Sequence, residues 1–246
     1  MNFYDIFNIG LENKKNRLNF DSEVSCFQQK INENKKNTPS LSAIYRVKNA
    51  ELYLELSILS IVAICTEIII IDNNSSDNTL IIAERVKKHL DGICDVKIYS
   101  YNNKLSIAGD NYTLNLTEEN SLANYYKFCF SKATSDYVMK CDAHLIYTPV
   151  ALIKIQKKLN KKRRVIIFKG VEIYGYGLSR ERYIFKNDNA YTFVDGEFYE
   201  ELKFDYKLSK IEQLLSTIFI PCFIHIKRIR YINHLGCDNV VEKIYK

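Results

Sequence analysis

Asp72 closes a run of four isoleucines and opens a run of turn formers, Ile68-Ile69-Ile70-Ile71-Asp72-Asn73-Asn74-Ser75-Ser76-Asp77-Asn78-Thr79. In open α/β sheets, ligands bind beyond the carboxyl ends of the strands, so a carboxylate and a polar turn at that point can hydrogen-bond a nucleoside. Two more strand-end candidates are Tyr45-Arg46 and Asp142-Ala143-His144. No G-x-G-x-x-G follows a strand and no G-x-x-x-x-G-K-[ST] occurs, which removes the dinucleotide and P-loop readings. A diphosphate then needs another counter-charge. In extended chain, residues two apart point the same way, so Asp142 and His144 are expected to share one cation. Oxygen ligands suit Mg²⁺ or Mn²⁺, and an imidazole favours Mn²⁺. Each signal alone has a plainer reading, the Asp as a turn residue and the His as a structural group. The joint pattern is far more specific: a strand–Asp turn, then about seventy residues later strand–Asp-x-His and a Thr-Pro helix start.

The elements that must position these groups follow from periodicity. Residues 41–47 read as a first strand, and Asn49 as the cap of a helix with Leu52, Leu56, Leu59 and Ala63 on its apolar face. The isoleucine run has the look of a strand buried on both faces. Asp77 is expected to cap a helix carrying Ala83, Val86 and Leu90, with Gly92 past its end. Residues 96–99 read as a strand, 102–120 as a polar loop, 121–132 as a helix and 137–140 as a short strand. Thr148-Pro149 starts a helix that ends in the basic run 157–164. Residues 165–168 form the next strand. This alternation predicts an α/β fold with a mostly parallel central sheet and helices on both faces. After Gly170 come short segments rich in aromatic and β-branched residues, 183–185, 190–194 and 218–226. They read as a mixed α+β part that closes over the sheet. The expected organisation is an N-terminal extension over 1–39 packed on the domain, a nucleotide-binding half over 40–169 and a second half over 170–246.

With 246 residues, 47% of them hydrophobic, the chain has material for a sizeable core. A net charge of +6 suits anionic partners, but no motif supports nucleic acid as one of them. Seven cysteines without a C-x-x-C pair read as reduced thiols of a cytoplasmic protein. No signal peptide or spanning segment is expected, so membrane contact would be peripheral. The basic run reads either as a solvated helix end or as a contact with anionic lipid head groups presenting a lipid-linked acceptor.

Ser42-Ala43-Ile44-Tyr45-Arg46-Val47-Lys48-Asn49, the segment from Ile70 to Thr79, and Tyr137-Val138-Met139-Lys140-Cys141-Asp142-Ala143-His144 together resemble family 2 of the nucleotide-sugar glycosyltransferases, of GT-A fold. The resemblance covers residues 40–149 well and continues more thinly to about residue 227. It implies that Asp72 contacts the base or ribose of the donor, with Tyr45 and Arg46 nearby. The donor-nucleotide set it implies also includes Asn49, Asn74, Ser75, Asp77, Cys141 and Asp142. Asp142 and His144 would hold Mn²⁺ or Mg²⁺, with His144 standing where most members have Asp. Lys127 stands where similar sequences often carry Asn.

Gly196-Glu197-Phe198-Tyr199-Glu200 resembles a later G-x-V-H-E segment, which makes Glu200 the implied general base, with Glu197 and Glu201 as competitors. A solvated acidic face is the plainer alternative. The strand around His225 resembles a late His segment that adds a metal or diphosphate contact, or else holds a structural His. The implied activity is inverting, metal-dependent transfer of a sugar from a nucleotide-diphosphate donor, a UDP-sugar first, to a saccharide or lipid-linked glycan. The competing readings are a non-catalytic nucleotide-sugar-binding module of a larger enzyme and a sugar nucleotidyltransferase.

Overall fold

The computed structural model of the chain describes residues 20–35 and 38–229. In chain order the elements are α1 (Phe20–Lys35), β1 (Leu41–Val47), α2 (Leu54–Ile61), β2 (Glu67–Asp72), α3 (Thr79–His89), β3 (Asp95–Ser100) and α4 (Leu122–Phe130). There follow β4 (Tyr137–Cys141), β5 (Leu145–Tyr147), α5 (Pro149–Asn160), β6 (Val165–Glu172), β7 (Glu181–Lys186), β8 (Tyr191–Asp195), β9 (Glu200–Phe204), α6 (Lys210–Ser216) and β10 (Thr217–His225). Eight strands form one sheet in the order β3-β2-β1-β4-β7-β6-β10-β5, and β8 and β9 form a separate hairpin.

The isoleucine run lies where a doubly covered strand belongs. Ile68 and Ile70 belong to the core cluster that includes α2 and α3, while Ile69 and Ile71 belong to the cluster with α4 on the other face. All four are fully buried, each contributing about 1.5–3 kcal/mol relative to exposure. The strand is fastened at its amino end by Glu67. That buried carboxylate accepts from Ser42 Oγ, from Lys97 Nζ and from the backbone and hydroxyl of Thr134. Burial alone would raise its pKa, yet these donors hold the carboxyl below its ordinary value. Thr148 caps α5 through Ala151 N at 3.3 Å, with Pro149 in the first turn.

Three expectations are corrected. The first strands, β3, β2, β1 and β4, are parallel throughout. The second half, however, covers the sheet only in part, where the β8–β9 hairpin packs with α4 on one face, and otherwise extends it. β7 enters antiparallel between β4 and β6, and β10 lies between β6 and β5. Second, α2 buries Leu54, Ser57, Ile58 and Ile61, not the expected stripe, and Leu52, Leu56 and Leu59 are about half exposed. The helix is apolar on more than one side, so periodicity alone did not select its inner face. Third, Asn49 is no cap. It has φ 53°, and α2 starts after Tyr53 with no side-chain cap.

Of the N-terminal extension, α1 lies along α5. Gln156 Nε2 donates to Ile31 O and Asn160 Nδ2 to Asn34 O, both at 3.2 Å. Residues 1–19 lie outside the described residues, as does Cys237. The other six cysteines are free thiols, all buried except Cys26. No described helix is long and apolar enough to cross a membrane.

Candidate active site

Parallel pairing places three strand ends side by side. Val47 of β1 is level with Asp72 of β2, and Tyr45 with Cys141 of β4. Asp72, Arg46 and Asp142 therefore share one edge of the sheet, across two interstrand steps of about 4.8 Å each. Asp72 is 3% exposed. Its Oδ2 accepts from Ser75 N at 3.1 Å, whereas its Oδ1 is buried and has no hydrogen-bond partner. An orphaned buried acceptor is costly and calls for a donor from outside the protein.

The turns after β1 and β2 are laced together by residues named from the sequence. Asn49 N donates to Ser75 Oγ at 2.8 Å, and Asn49 Oδ1 accepts from Ser76 N at 2.8 Å. The positive φ of Asn49 is what lets both of its polar ends face the second turn, a conformation Asn tolerates. Asp77 accepts from Glu51 N and Thr79 N. Asn74, also at positive φ, donates to Asn102 O at 2.9 Å. These four side chains thus build the rim around Asp72. Asn73, not singled out from the sequence, is buried and donates to Tyr101 O and Asn103 O, both at 2.8 Å, which fixes the loop after β3.

Arg46 is the centre of the site. Its side chain is 5% exposed; Nη2 pairs with Asp142 Oδ1 at 2.7 Å and also donates to Cys141 O at 3.3 Å. The guanidinium lies 4.1 Å from the Tyr126 ring centre, and Nε and Nη1 are buried without partners. A buried cation with free donors is suited to a phosphate or carboxylate oxygen. Burial acts to raise the Asp142 carboxyl, but Arg46, then His144, Lys140 and His225, outweigh it and hold it below its ordinary value. Tyr45 turns its side chain to the other face, where its hydroxyl meets Ser57 Oγ at 3.2 Å. Cys141 is fully buried, and burial pushes its thiol well up, which leaves its carbonyl as the group facing Arg46.

The Asp142-Ala143-His144 segment is not extended. Leu145 N donates to Asp142 O at 3.2 Å, closing a tight turn that carries the chain from β4 across to β5. His144 meets His225 edge to face, with ring centres 4.6 Å apart, and His225 Nδ1 bonds Glu172 Oε2 at 2.5 Å. Burial drives the His144 imidazole down to about 4, against the pull of Asp142, so it is neutral near pH 7 with a lone pair to offer. Among the described residues no group of three or more His, Cys, Asp and Glu side chains is arranged to hold a metal. A carboxylate and a neutral imidazole fit an ion that takes its remaining ligands from substrate phosphates and water.

Glu200 opens β9, directly across the hairpin from Asp195. Asp195 anchors that hairpin to the start of α4, accepting from Tyr112 Oη, from Ser121 Oγ at 2.7 Å and from Ala123 N at 3.0 Å. Of the three candidate carboxylates Glu200 alone is half-buried, and Glu197 and Glu201 are exposed. Burial pushes the Tyr126 phenol well up; Arg46 opposes this, while Glu200 and Asp142 add to it. Glu200, Tyr126, Arg46 and Asp142 thus act on one another.

Two clefts are lined by residues of this site. One of about 270 Å³ is lined by Arg46, Lys48, Asn73, Leu105 and Tyr125. The other, of about 1000 Å³, is lined by Glu200, Lys140, Arg180, Arg182, Tyr199 and Phe219 among others. Sequence reasoning missed Tyr126, Asn73 and Glu172. Glu172 ends β6, four residues past the strand end read from the sequence, so the strand-end rule passed it over. Lys127 lies exposed on α4.

The model of the family described as Glycosyl transferase family 2 matches residues 42–230. No curated protein sequence matches the chain. Among solved structures, S. aureus TarS 1-349 is 14% identical over 75% of this chain and 60% of its own, with a TM-score of 0.49. Glucosyl-3-phosphoglycerate synthase from Mycobacterium tuberculosis, in complex with Mn²⁺, UDP and glucosyl-3-phosphoglycerate, is 17% identical over 58% of this chain and 48% of its own, with a TM-score of 0.41. The chain therefore spans about half to three fifths of the length of these structures.

Proposed function

The chain belongs to glycosyl transferase family 2 and has the GT-A fold, and from that premise we propose that it transfers a sugar from a nucleoside diphosphate donor, a UDP-sugar first, to a hydroxyl of a saccharide or lipid-linked glycan. The observation that carries this reading is the row of strand ends, with the orphaned Asp72 Oδ1 at one end and the Arg46–Asp142 pair at the other. Asp72 would accept from the base or ribose, in the smaller cleft. The buried free donors of Arg46 would meet the diphosphate side of the donor. Asp142 and His144, with His225 beside them, would hold Mn²⁺ or Mg²⁺. Such an ion, when bound, neutralises negative charge on a departing diphosphate.

Glu200 would accept the proton of the acceptor hydroxyl in the larger cleft, where attack from the face opposite the leaving group inverts the anomeric centre. Asp195, through its bonds to Ser121, Ala123 and Tyr112, holds the hairpin that presents Glu200. Calorimetric titration with UDP, with and without Mn²⁺, tests the reading, followed by UDP-sugar hydrolysis. Metal-strengthened UDP binding and slow hydrolysis are expected. Binding that ignores the metal, with no hydrolysis, would favour a non-catalytic nucleotide-sugar module, a reading kept in view by the lack of a three-ligand cluster among the described residues.

A further inference from the structure

The segment joining the β8–β9 hairpin to the sheet turns its apolar residues outward. On α6 Ile211 is 70% and Leu214 59% exposed, and Leu215 is partly so. Phe219, 56% exposed, and Ile220 continue the patch onto the start of β10. Ser209 and Glu212 close a capping box at the head of α6, so this outward face belongs to a well-formed turn of helix.

A rim of cations surrounds the patch. Lys158 Nζ donates to Leu215 O at 2.5 Å. The Arg180 guanidinium sits 5.5 Å from the Phe219 ring centre, and Lys210 is the first residue of α6. Burial, and after it the neighbouring Lys161, Arg163 and Lys154, pushes the Lys158 ammonium below its ordinary value. Among the described residues none of these six cations forms an ion pair within 4 Å. Crowded cations, only partly offset by Glu212 near Arg163, and exposed large apolar side chains both cost free energy in water. One kind of surface relieves both: apolar depth under a sheet of negative charge. A protein partner would need a matching acidic ring around an apolar centre, whereas an anionic bilayer supplies both over its whole area.

We propose that α6 and the start of β10 seat the protein on an anionic lipid bilayer. Ile211, Leu214 and Phe219 would enter the head-group boundary, and the lysine and arginine rim would lie on the lipid phosphates. Lys210, Gln213, Leu214, Thr217 and Phe219 also line the larger cleft with Glu200. Seating would therefore open that cleft at the bilayer surface, a corollary that rests on the glycosyltransferase reading, although the lipid contact itself does not.

The test is flotation of the whole protein with vesicles of phosphatidylcholine alone or mixed with phosphatidylglycerol. Binding to the mixed vesicles that weakens with salt is expected, with little binding to phosphatidylcholine alone. K154Q/K161Q removes two exposed charges and should weaken binding roughly 25-fold at low salt, about 5-fold per charge. I211S/L214S should abolish flotation. Melting temperature and UDP titration for every variant show whether fold and nucleotide site are intact, so a failed UDP titration would count against the enzyme reading and not against the lipid contact. The proposal is overturned if the wild-type protein does not float with anionic vesicles, or if both variants float as it does. It is equally overturned if I211S/L214S instead turns a dimer into a monomer, which would make the patch a protein interface.

Discussion

Asp72→Asn separates binding from folding at one atom. In the native structure Oδ2 accepts from Ser75 N and Oδ1 is buried and empty. An asparagine can keep its oxygen toward Ser75 N, since placing its amide there would set donor against donor. Its Nδ2 then takes the place of Oδ1. The turn keeps its hydrogen bond and the fold loses a buried carboxylate oxygen that had no partner, so stability should change by no more than about 1 kcal/mol in either direction. A donor nucleoside fares differently. The N–H or O–H that would bond Oδ1 now faces another donor. Loss of one hydrogen bond to a charged acceptor is worth about 1.5–3 kcal/mol, or roughly ten- to a hundredfold in affinity. The assay is UDP titration in Mn²⁺ alongside urea unfolding of both proteins. Unchanged UDP affinity in a folded Asp72→Asn protein would refute the role of Oδ1. A loss of stability near 3 kcal/mol would instead show that Asp72 holds the turn by more than the Ser75 bond.

Three further outcomes are expected. Glu200→Gln should keep the fold and UDP affinity while lowering transfer or donor hydrolysis by about 10²–10⁴-fold, the usual yield of a positioned base, measured as kcat with the detected donor. Glu67→Gln should cost about 2–3 kcal/mol at pH 7 by urea unfolding, because Lys97 and Thr134 N bond different oxygens and the one amide oxygen left can serve only one of them, while Lys97 loses its counter-charge. Its folded-state carboxyl lies below the ordinary value, so the wild-type advantage is complete above the ordinary carboxyl range. It should fade as pH falls through the folded-state pKa. A gap that stays constant down to pH 2 would contradict this. Gly170→Ala should destabilise by about 1–3 kcal/mol, since a Cβ there would clash with Phe223 Cε2 on the neighbouring strand. Its thermal midpoint should drop, with the Phe223→Leu background relieving part of the loss.

The strand ends were legible in the sequence because doubly buried parallel strands announce themselves as unbroken β-branched runs, and Ile68 to Ile71 is such a run. Thr148-Pro149 was legible for a local reason, as caps act within three residues. What escaped was lateral. No local pattern says that β7 slips between β4 and β6, or that Tyr126 stacks on Arg46. Helix α2 shows the limit well. Leu52, Leu56 and Leu59 keep helical spacing as faithfully as Leu54, Ile58 and Ile61 do. The choice fell to the partners, because Ser57 reaches Leu145 O at 2.7 Å. For Asp142 and His144 an extended-chain rule was applied to a turn. For Asn49 the residue type was noticed, and its left-handed backbone was not.

The place of β10 in the sheet has a consequence for how the protein comes into being. Phe223 pairs with Tyr147 and Thr217 with Ile167, so the last described strand fills a gap between two strands made much earlier. Until it arrives, β5 and β6 each offer an unpaired edge, and His144 and Glu172 have no His225 between them. Long-range closure of this kind is slow, on the order of milliseconds to seconds. On a ribosome adding about 5–20 residues per second, β1 to β4 would stand complete for seconds before β10 exists. A nascent chain halted after β7 should thus gain UDP affinity before it gains any capacity for transfer, and it is at that stage that its open strand edges are most exposed to aggregation.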